Sequence, residues 1–596
     1  MRAPSSTQQD SAAHRHDDST EAESASPGAL GTGGQPRNVE AAGMVTAARP
    51  HESPRVGEGS ARVLPPRVVD IRPAGHSSRE EHATIAEQRV APMTPGAPSD
   101  KRRRGDGVQL RRKLVMLQPV RLDSPTPGSM ARRGLLSTLG VSVQGLARFV
   151  TNVLVGRFGG PSALGSVASA ISTAQLLTLL WPSTTGSAAA KFVAQARGRD
   201  APAEASAIAA HLARRTIQAG FVLSFVSVPV WVLINDGELA GAGVVAALVL
   251  GYSGYNFARG LQFGAGQVPR ATSWDVATSA FGLIGAAALL LAGVRGILVI
   301  LPLAVSYMIF ALAGWPWGAL GRPTPALRRE MDGFVALGVV GTLASAGFLQ
   351  LSMIIARLSD GLAAAGQYAA ALALATPPSL LATSFSLVLF PSMAEAWGRG
   401  DIDRVRRQTD QATRFLITTM TCVFGVLALC SPLIVSVIWG GKYHHAARLL
   451  PILLVAVLAN TIGVASTNSL TSRSHRGMVT STIASLVGMA IGSLSWILLA
   501  PYWGTMGVAI GYLCGTLLIT AIPLGIVWRA DGHRWTGLVT RLAAGIALLG
   551  SMLLAEGVLD IGLWLEPALA LAFAVTWLGL MRNDAREVVR HVRSRR

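Results

Sequence analysis

The sequence predicts an all-α polytopic membrane protein of about fourteen transmembrane helices: two six-helix lobes related by a parallel repeat, plus two carboxy-terminal helices. Three observations carry that prediction. Only 14% of the 596 residues are charged and 50% are hydrophobic, with a mean hydropathy of +0.42, whereas soluble domains carry about 25% charged residues. From Gly134 onward the apolar residues form continuous runs of roughly 18–25, the length that crosses a bilayer as a helix. Lys and Arg collect in alternate loops between those runs.

Residues 1–129 are rich in Ser, Pro, Gly, Ala and Arg and hold 18 basic and 15 acidic side chains. They show no sustained apolar periodicity and no run able to bury a core, so a disordered cytoplasmic tail is expected. No apolar h-region of a signal peptide occurs in the first thirty residues. The clusters Lys101-Arg102-Arg103-Arg104 and Arg111-Arg112-Lys113 read either as attraction to anionic headgroups or as a solvated linker.

The apolar runs are 134–156, 165–188, 216–234, 239–260, 275–294, 297–319, 333–356, 363–390, 412–438, 446–471, 478–499, 504–528, 538–558 and 561–580. A membrane β-barrel would alternate apolar and polar residues over strands of about ten residues, and these runs are continuous. With the amino terminus in the cytoplasm, inner loops hold twenty basic residues and outer loops five: Arg157, Arg295, Arg357, Lys442 and Arg448. That asymmetry puts both termini inside and the protein in the cytoplasmic (inner) membrane. It also explains the formal charge of +19, which on another chain would suggest a nucleic-acid partner. None is expected here.

Self-comparison finds a repeat at an offset of 200: Ala194-Gln-Ala-Arg-Gly-Arg199 matches Ala394-Glu-Ala-Trp-Gly-Arg399, Arg157 pairs with Arg357, and Arg214 with Arg414. Six helices per unit is even, so both units enter the membrane from the same side. The expected divisions are 130–330 and 331–530 for the two lobes, and 531–596 for two extra helices with a basic tail.

Within the helices, Ser137, Gln144, Arg148, Thr151 and Asn152 form one polar stripe, and Tyr252, Tyr255, Asn256 and Arg259 share one face of another helix. An intramembrane charge costs about 2.5–3.5 kcal/mol on insertion scales. Arg148, near the middle of its helix, therefore reads as part of a positive, water-filled cavity suited to an anionic headgroup. Gln144, Asn152, Tyr252, Tyr255, Asn256 and Arg259 complete the candidate substrate cavity. Interhelical hydrogen bonding and snorkelling account for the same residue types, most readily for Arg259 near a helix end. No Asp or Glu falls in the middle of a run, and no GxxxxGK[ST] loop is present. Neither a catalytic centre, a metal site nor a cofactor is expected. Cys422, Cys430 and Cys514 offer no disulfide framework.

Val155-Gly-Arg-Phe-Gly-Gly160, Leu389-Phe-Pro-Ser-Met-Ala-Glu395 with Arg399, and Ser431-Pro-Leu-Ile434 through Trp439-Gly-Gly-Lys-Tyr443 and Ser472-Arg-Ser-His-Arg476 resemble a known family. It is the polysaccharide (O-antigen/teichoic acid) flippase family of the multidrug/oligosaccharidyl-lipid/polysaccharide exporter superfamily. The resemblance runs through residues 134–528. It implies a non-enzymatic transporter that moves undecaprenyl-pyrophosphate-linked oligosaccharides across the membrane by alternating access, for cell-surface polysaccharide. Its partners would be that lipid-linked saccharide, membrane lipids, and glycosyltransferases and a polymerase of the same pathway. A lipid II flippase, which the fourteen-helix count leaves open, and a multidrug cation antiporter are the alternatives. Met130 opens Met-Ala-Arg-Arg-Gly directly ahead of the first run and reads as a natural start. Translation is expected to begin there, and the intact mass of the native protein is expected to exclude residues 1–129; a mass that includes them removes the expectation.

Overall fold

The computed structural model describes residues 130–235, 239–559, 562–582 and 584. The expected tail at 1–129 and the basic carboxy-terminal residues from 585 lie outside them. Every regular element among the described residues is helical. In chain order they are α1 Met130–Leu179, α2 Pro182–Gly198, α3 Pro202–Ile234, α4 Ala242–Gly264, α5 Val268–Leu291 and α6 Leu301–Gly314. Then follow α7 Pro325–Thr342, α8 Phe348–Ala375, α9 Ser379–Gly398, α10 Ile402–Leu429 and α11 Ser431–Trp439. The last are α12 His444–Arg473, α13 His475–Asp531, α14 Thr536–Leu559 and α15 Glu566–Leu580.

Nine continuous helices are long and apolar enough to cross a membrane among the described residues. The figure is below fourteen because three of them each contain two crossings. Thr138–Leu179, Pro325–Ala375 and Arg476–Asp531 reverse at a single glycine: Gly160 (φ 76°), Gly361 (φ 79°) and Gly504 (φ 52°). A positive φ at these positions strains any residue with a Cβ, and glycine has none. With α4 and the shorter α15, fourteen passes result, numbered here 1–14. Passes 1 and 2 meet at Gly160, passes 7 and 8 at Gly361, and passes 11 and 12 at Gly504. The sequence separates these pairs as independent runs because hydropathy does not register a one-residue reversal.

Passes 2 and 8 are also broken part-way. Pass 2 stops at Leu179 and resumes at Pro182; pass 8 stops at Ala375 and resumes at Ser379 after Thr376-Pro377-Pro378. Proline lacks the N–H that would continue a helix and is tolerated in its first turn. Polar side chains cap several helix starts at one end of the bundle: Thr324 Oγ1 accepts from Leu327 N, Asp401 from Arg404 N, and Ser474 from Gly477 N.

The lobes touch where α1 crosses α8. A Cβ on Gly165 would lie 2.0 Å from the Leu362 carbonyl oxygen, and one on Gly366 would lie 1.9 Å from the Pro161 carbonyl oxygen. The two contacts are images of each other at an offset of 201. The repeat register therefore slips by one residue between Arg357 and Gly361, where Leu358, Ser359 and Asp360 stand against Phe158 and Gly159. In the three-residue stretch, Asp360 accepts the N–H of Thr505 at 2.5 Å, the first N–H after the Gly504 reversal. The offset is thus 200 at Arg157 and Arg357, 201 where α1 and α8 cross, and 200 again where α2 and α9 end at Gly198 and Gly398.

At the opposite end, pass 7 leans on the first lobe. Met331 and Val335 bury beside Phe192, Ile208 and Leu212, and Lys191 Nζ sits 4.4 Å from the Phe334 ring centroid. The hairpin α14–α15 packs on α10: Phe573 fills the space over Gly425, and Trp577 Nε1 donates to Thr418 O at 2.8 Å. Arg414 and Arg541 share Asp584 at 2.7 and 2.5 Å and pin the chain after α15.

Gly366→Val is expected to lower thermal stability in detergent by about 1–3 kcal/mol, since both backbones must part to admit the side chain. Gly525→Ala, where an added Cβ meets nothing within 4 Å, is expected to leave the melting temperature unchanged or raise it.

Candidate functional site

Between the lobes lies a cavity of about 740 Å³. Its walls come from both lobes: α1 supplies Arg148 and Asn152, α8 supplies Gln350 and Met353, and the break in pass 8 supplies Thr376 and Ser379. Among the described lining residues, Arg148 is the one with a permanent charge. Leu380 packs near Gly145, one turn before it. Leu146 lines the same wall and is 61% exposed.

Arg148 is held from behind by aromatic residues. Its Nε and Nη2 donate to the Tyr307 hydroxyl at 2.9 and 2.5 Å, and the guanidinium lies 5.4 Å from the Tyr252 ring and 5.6 Å from the Tyr307 ring. No carboxylate pairs with it among the described residues. The charge is thus oriented by a phenol and by ring faces, which attract a cation by about 0.5–2 kcal/mol without neutralising it. Gln144 and Tyr307 line a small adjoining pocket on the other side of Arg148.

Tyr252, Tyr255 and Arg259 are placed behind that wall, inside the first lobe. Tyr252 stacks on Tyr255 at 5.9 Å, and Tyr255 packs edge-on against Phe310 at 4.7 Å. The Tyr255 hydroxyl donates to Asp275 Oδ1 at 2.9 Å, and Arg259 Nε donates to Asp275 Oδ2 at 3.1 Å. Asn256 lies on the neighbouring face of α4, its carbonyl against Gly186 of α2. The structure therefore brings Arg148, Gln144 and Asn152 to the cavity region and groups Tyr255 and Arg259 around Asp275.

Asp275 narrows the expectation that no carboxylate falls in the middle of a run. Hydropathy starts the fifth run at this residue, but α5 begins at Val268 and carries Asp275 about two turns into the helix, 1% exposed. Gly140 of α1 makes room: a Cβ there would lie 2.7 Å from Asp275 Oδ2. A charge at the edge of an apolar run reads as a loop residue unless its partner is known. That partner, Arg259, lies on a different helix, 16 residues away. Tyr307 was missed for a similar reason, as a lone tyrosine in an apolar run gives no sign of facing an arginine from another helix.

A family model described as lipid II flippase MurJ matches residues 160–555. The chain belongs to the lipid II flippase MurJ family. The MurJ match lies in the exporter superfamily that the motifs resemble, on the branch left open by the helix count. Among solved structures, the fold is similar to a multidrug resistance MATE family transporter of the MOP superfamily in its inward-facing conformation. The TM-score is 0.56, with 13% identity, covering 66% of this chain and 98% of that one. It is also similar to a MOP superfamily transporter from Pyrococcus furiosus, with a TM-score of 0.50 and 14% identity, covering 70% of this chain and 98% of that one. At these identities the likeness speaks for the fold. No curated protein matches the chain. Like the MurJ family at large, the protein is a multi-pass membrane transporter.

In this MurJ family member the Arg259–Asp275 pair is expected to behave as a buried ion pair. Asp275→Asn alone should destabilise the protein by about 3–5 kcal/mol, because it leaves a buried guanidinium uncompensated. The combination Asp275→Leu/Arg259→Met should cost clearly less, which denaturation of the single and double variants would measure.

Proposed function

We propose that the protein moves a polyprenyl-linked saccharide precursor across the cytoplasmic membrane, with its anionic phosphate-containing headgroup in the interlobe cavity beside Arg148. Lipid II, the cargo in the family's name, is the first candidate; a lipid-linked oligosaccharide for surface polysaccharide is the same chemistry with a different sugar. The observation that carries the reading is the lone guanidinium on a wall otherwise lined by apolar and uncharged polar side chains. A charge-assisted hydrogen bond to a phosphate oxygen is worth about 1.5–3 kcal/mol. The amides of Asn152 and Gln175 from α1, and of Gln350 from α8 across the cavity, suit sugar hydroxyls.

A lipid-linked cargo also requires its chain to stay in the bilayer while the headgroup crosses. The exposure of Leu146 beside the cavity supports a side opening for that chain. Alternation between the two sides would proceed by rocking of the lobes about their α1–α8 contact, with the reversals at Gly160 and Gly361 next to the pivot.

One observation favours a second reading. Asp275, buried with Tyr255 and Arg259 one layer behind the cavity, is the kind of intramembrane carboxylate that cation-coupled exchangers use. It takes away the argument that the chain lacks such a group. A multidrug cation exchanger remains the second reading, although a positive cavity wall disfavours a cationic cargo.

In proteoliposomes loaded with fluorescent lipid II or a lipid-linked oligosaccharide, Arg148→Ala is expected to lower the initial flipping rate about tenfold or more. Arg148→Lys should keep part of it, because the point charge stays while the two-pronged donor geometry is lost. A rate unchanged in Arg148→Ala removes Arg148 from the substrate path. Transport of an organic cation without flipping of either lipid would favour the exchanger.

A further inference from the structure

Four helix ends meet at the end of the bundle where passes 1, 3, 7 and 9 finish, the end that the basic-residue count assigns as outer. Two arginines cross there between the lobes in opposite directions. Arg157, at the end of pass 1, donates from Nε to the Ile438 carbonyl at 2.7 Å and from Nη2 to the Val437 carbonyl. Both carbonyls belong to the last turn of α11, which ends pass 9 of the other lobe. Arg357, at the end of pass 7, donates from Nε to the Ile234 carbonyl at 3.1 Å and from Nη2 to the Asn235 side-chain oxygen. Ile234 and Asn235 are the last residue and the cap of α3, which is pass 3 of the first lobe. Each lobe thus gives one arginine and one helix carboxy-terminus.

The chemistry of the two halves is the same. The last four carbonyls of a helix have no partner within it, and the helix dipole leaves that end partially negative. A guanidinium supplies both donors and positive charge, and its planar fork reaches two acceptors at once. Aromatic residues stand beside both sites, of which the Arg357 half is buried and Arg157 itself is exposed. The Trp231 ring lies 5.8 Å from the Arg357 guanidinium, and the Trp439 ring and the Tyr443 hydroxyl cover Gly156, whose carbonyl accepts from that hydroxyl at 3.1 Å. Arg357 is 9% exposed. These bonds cross between the two six-helix lobes, so they exist when this end is shut.

We propose that Arg157 and Arg357 form a reciprocal latch that holds the outer end of the cavity shut, and that both halves must release for the cavity to open there. The two halves are related by the same pseudo-two-fold as the Gly165 and Gly366 contacts. One rocking motion therefore withdraws both guanidinium groups from their carbonyls together, and the end behaves as a two-state gate. This goes beyond the cargo assigned above, because the latch touches no cavity-facing charge and applies whichever molecule is carried.

The test uses the full chain in lipid nanodiscs, with Cys422, Cys430 and Cys514 replaced by serine. Nitroxide labels are placed at Leu298→Cys and Tyr502→Cys, exposed outer-end positions, one in each lobe. The parent is expected to show one short interlabel distance. Arg157→Gln and Arg357→Gln should each add a longer one, and the double variant should raise the open-to-shut ratio about tenfold or more. Arg448→Gln, an exposed arginine at the same end outside the latch, should match the parent. A double variant with the parent's distribution overturns the proposal. If the glutamine variants lose their monodisperse elution peak, Arg157→Lys/Arg357→Lys replaces them. Lysine keeps the charge but cannot bridge two acceptors, so a smaller shift in the same direction is expected, and no shift again overturns the latch.

Discussion

Where α1 crosses α8, the two lobes meet backbone against backbone, and the rest of the molecule is arranged around that crossing. Lipid tails are as apolar as leucine, so helices in a bilayer gain little from hiding apolar side chains from one another; they gain from close approach. Gly165 and Gly366 provide it, each with the other helix's carbonyl where a Cβ would stand. The reversals at Gly160 and Gly361 lie five residues away on each side. On one side of the crossing the arginines reach across to helix ends, and on the other the lobes part around the cavity. A contact made of backbone cannot be repacked gradually, which suits the rocking of the lobes proposed for transport.

The first lobe handles Arg148 and Arg259 in opposite ways. Arg259 is neutralised by Asp275 and sits within the helix packing, where an unpaired charge would be costly. Arg148 has a phenol and two ring faces for partners, so its charge survives at the cavity wall. Tyr252, Tyr255 and Tyr307 connect the two, with Tyr255 and Tyr307 packed at 5.0 Å and Tyr252 and Tyr307 at 5.1 Å. The lobe therefore offers the cavity one net positive charge and keeps a balanced pair behind it.

Arginines counted in the basic loops of the sequence also hold structure together. Arg473 binds Asp531 at 2.7 Å through Nη1, tying the end of α12 to the end of α13. Arg414 links Asp410 and Asp584, fastening α10 to the chain after α15. Trp535 Nε1 donates to Asp410 at 2.7 Å beside them. These acidic residues were legible in the sequence only as a lower net charge, because their partners lie up to 170 residues away.

The sequence by itself determined the all-helical membrane fold, the number of passes and the doubling of a six-helix unit, because hydrophobic run length, loop charge and internal similarity are local properties of the chain. It also marked Arg148, since a charge in the middle of an apolar run is visible without any neighbour. It did not reveal Asp275, whose position at the edge of a run makes it look like a loop residue until α5 is seen to start earlier. It did not reveal Tyr307 behind Arg148, or the helix-end carbonyls that receive Arg157 and Arg357. Those were decided only by the tertiary structure, because a hydrogen bond between helices depends on which faces meet. In this protein the meeting of faces is fixed by two glycines whose missing side chains allow α1 and α8 to touch.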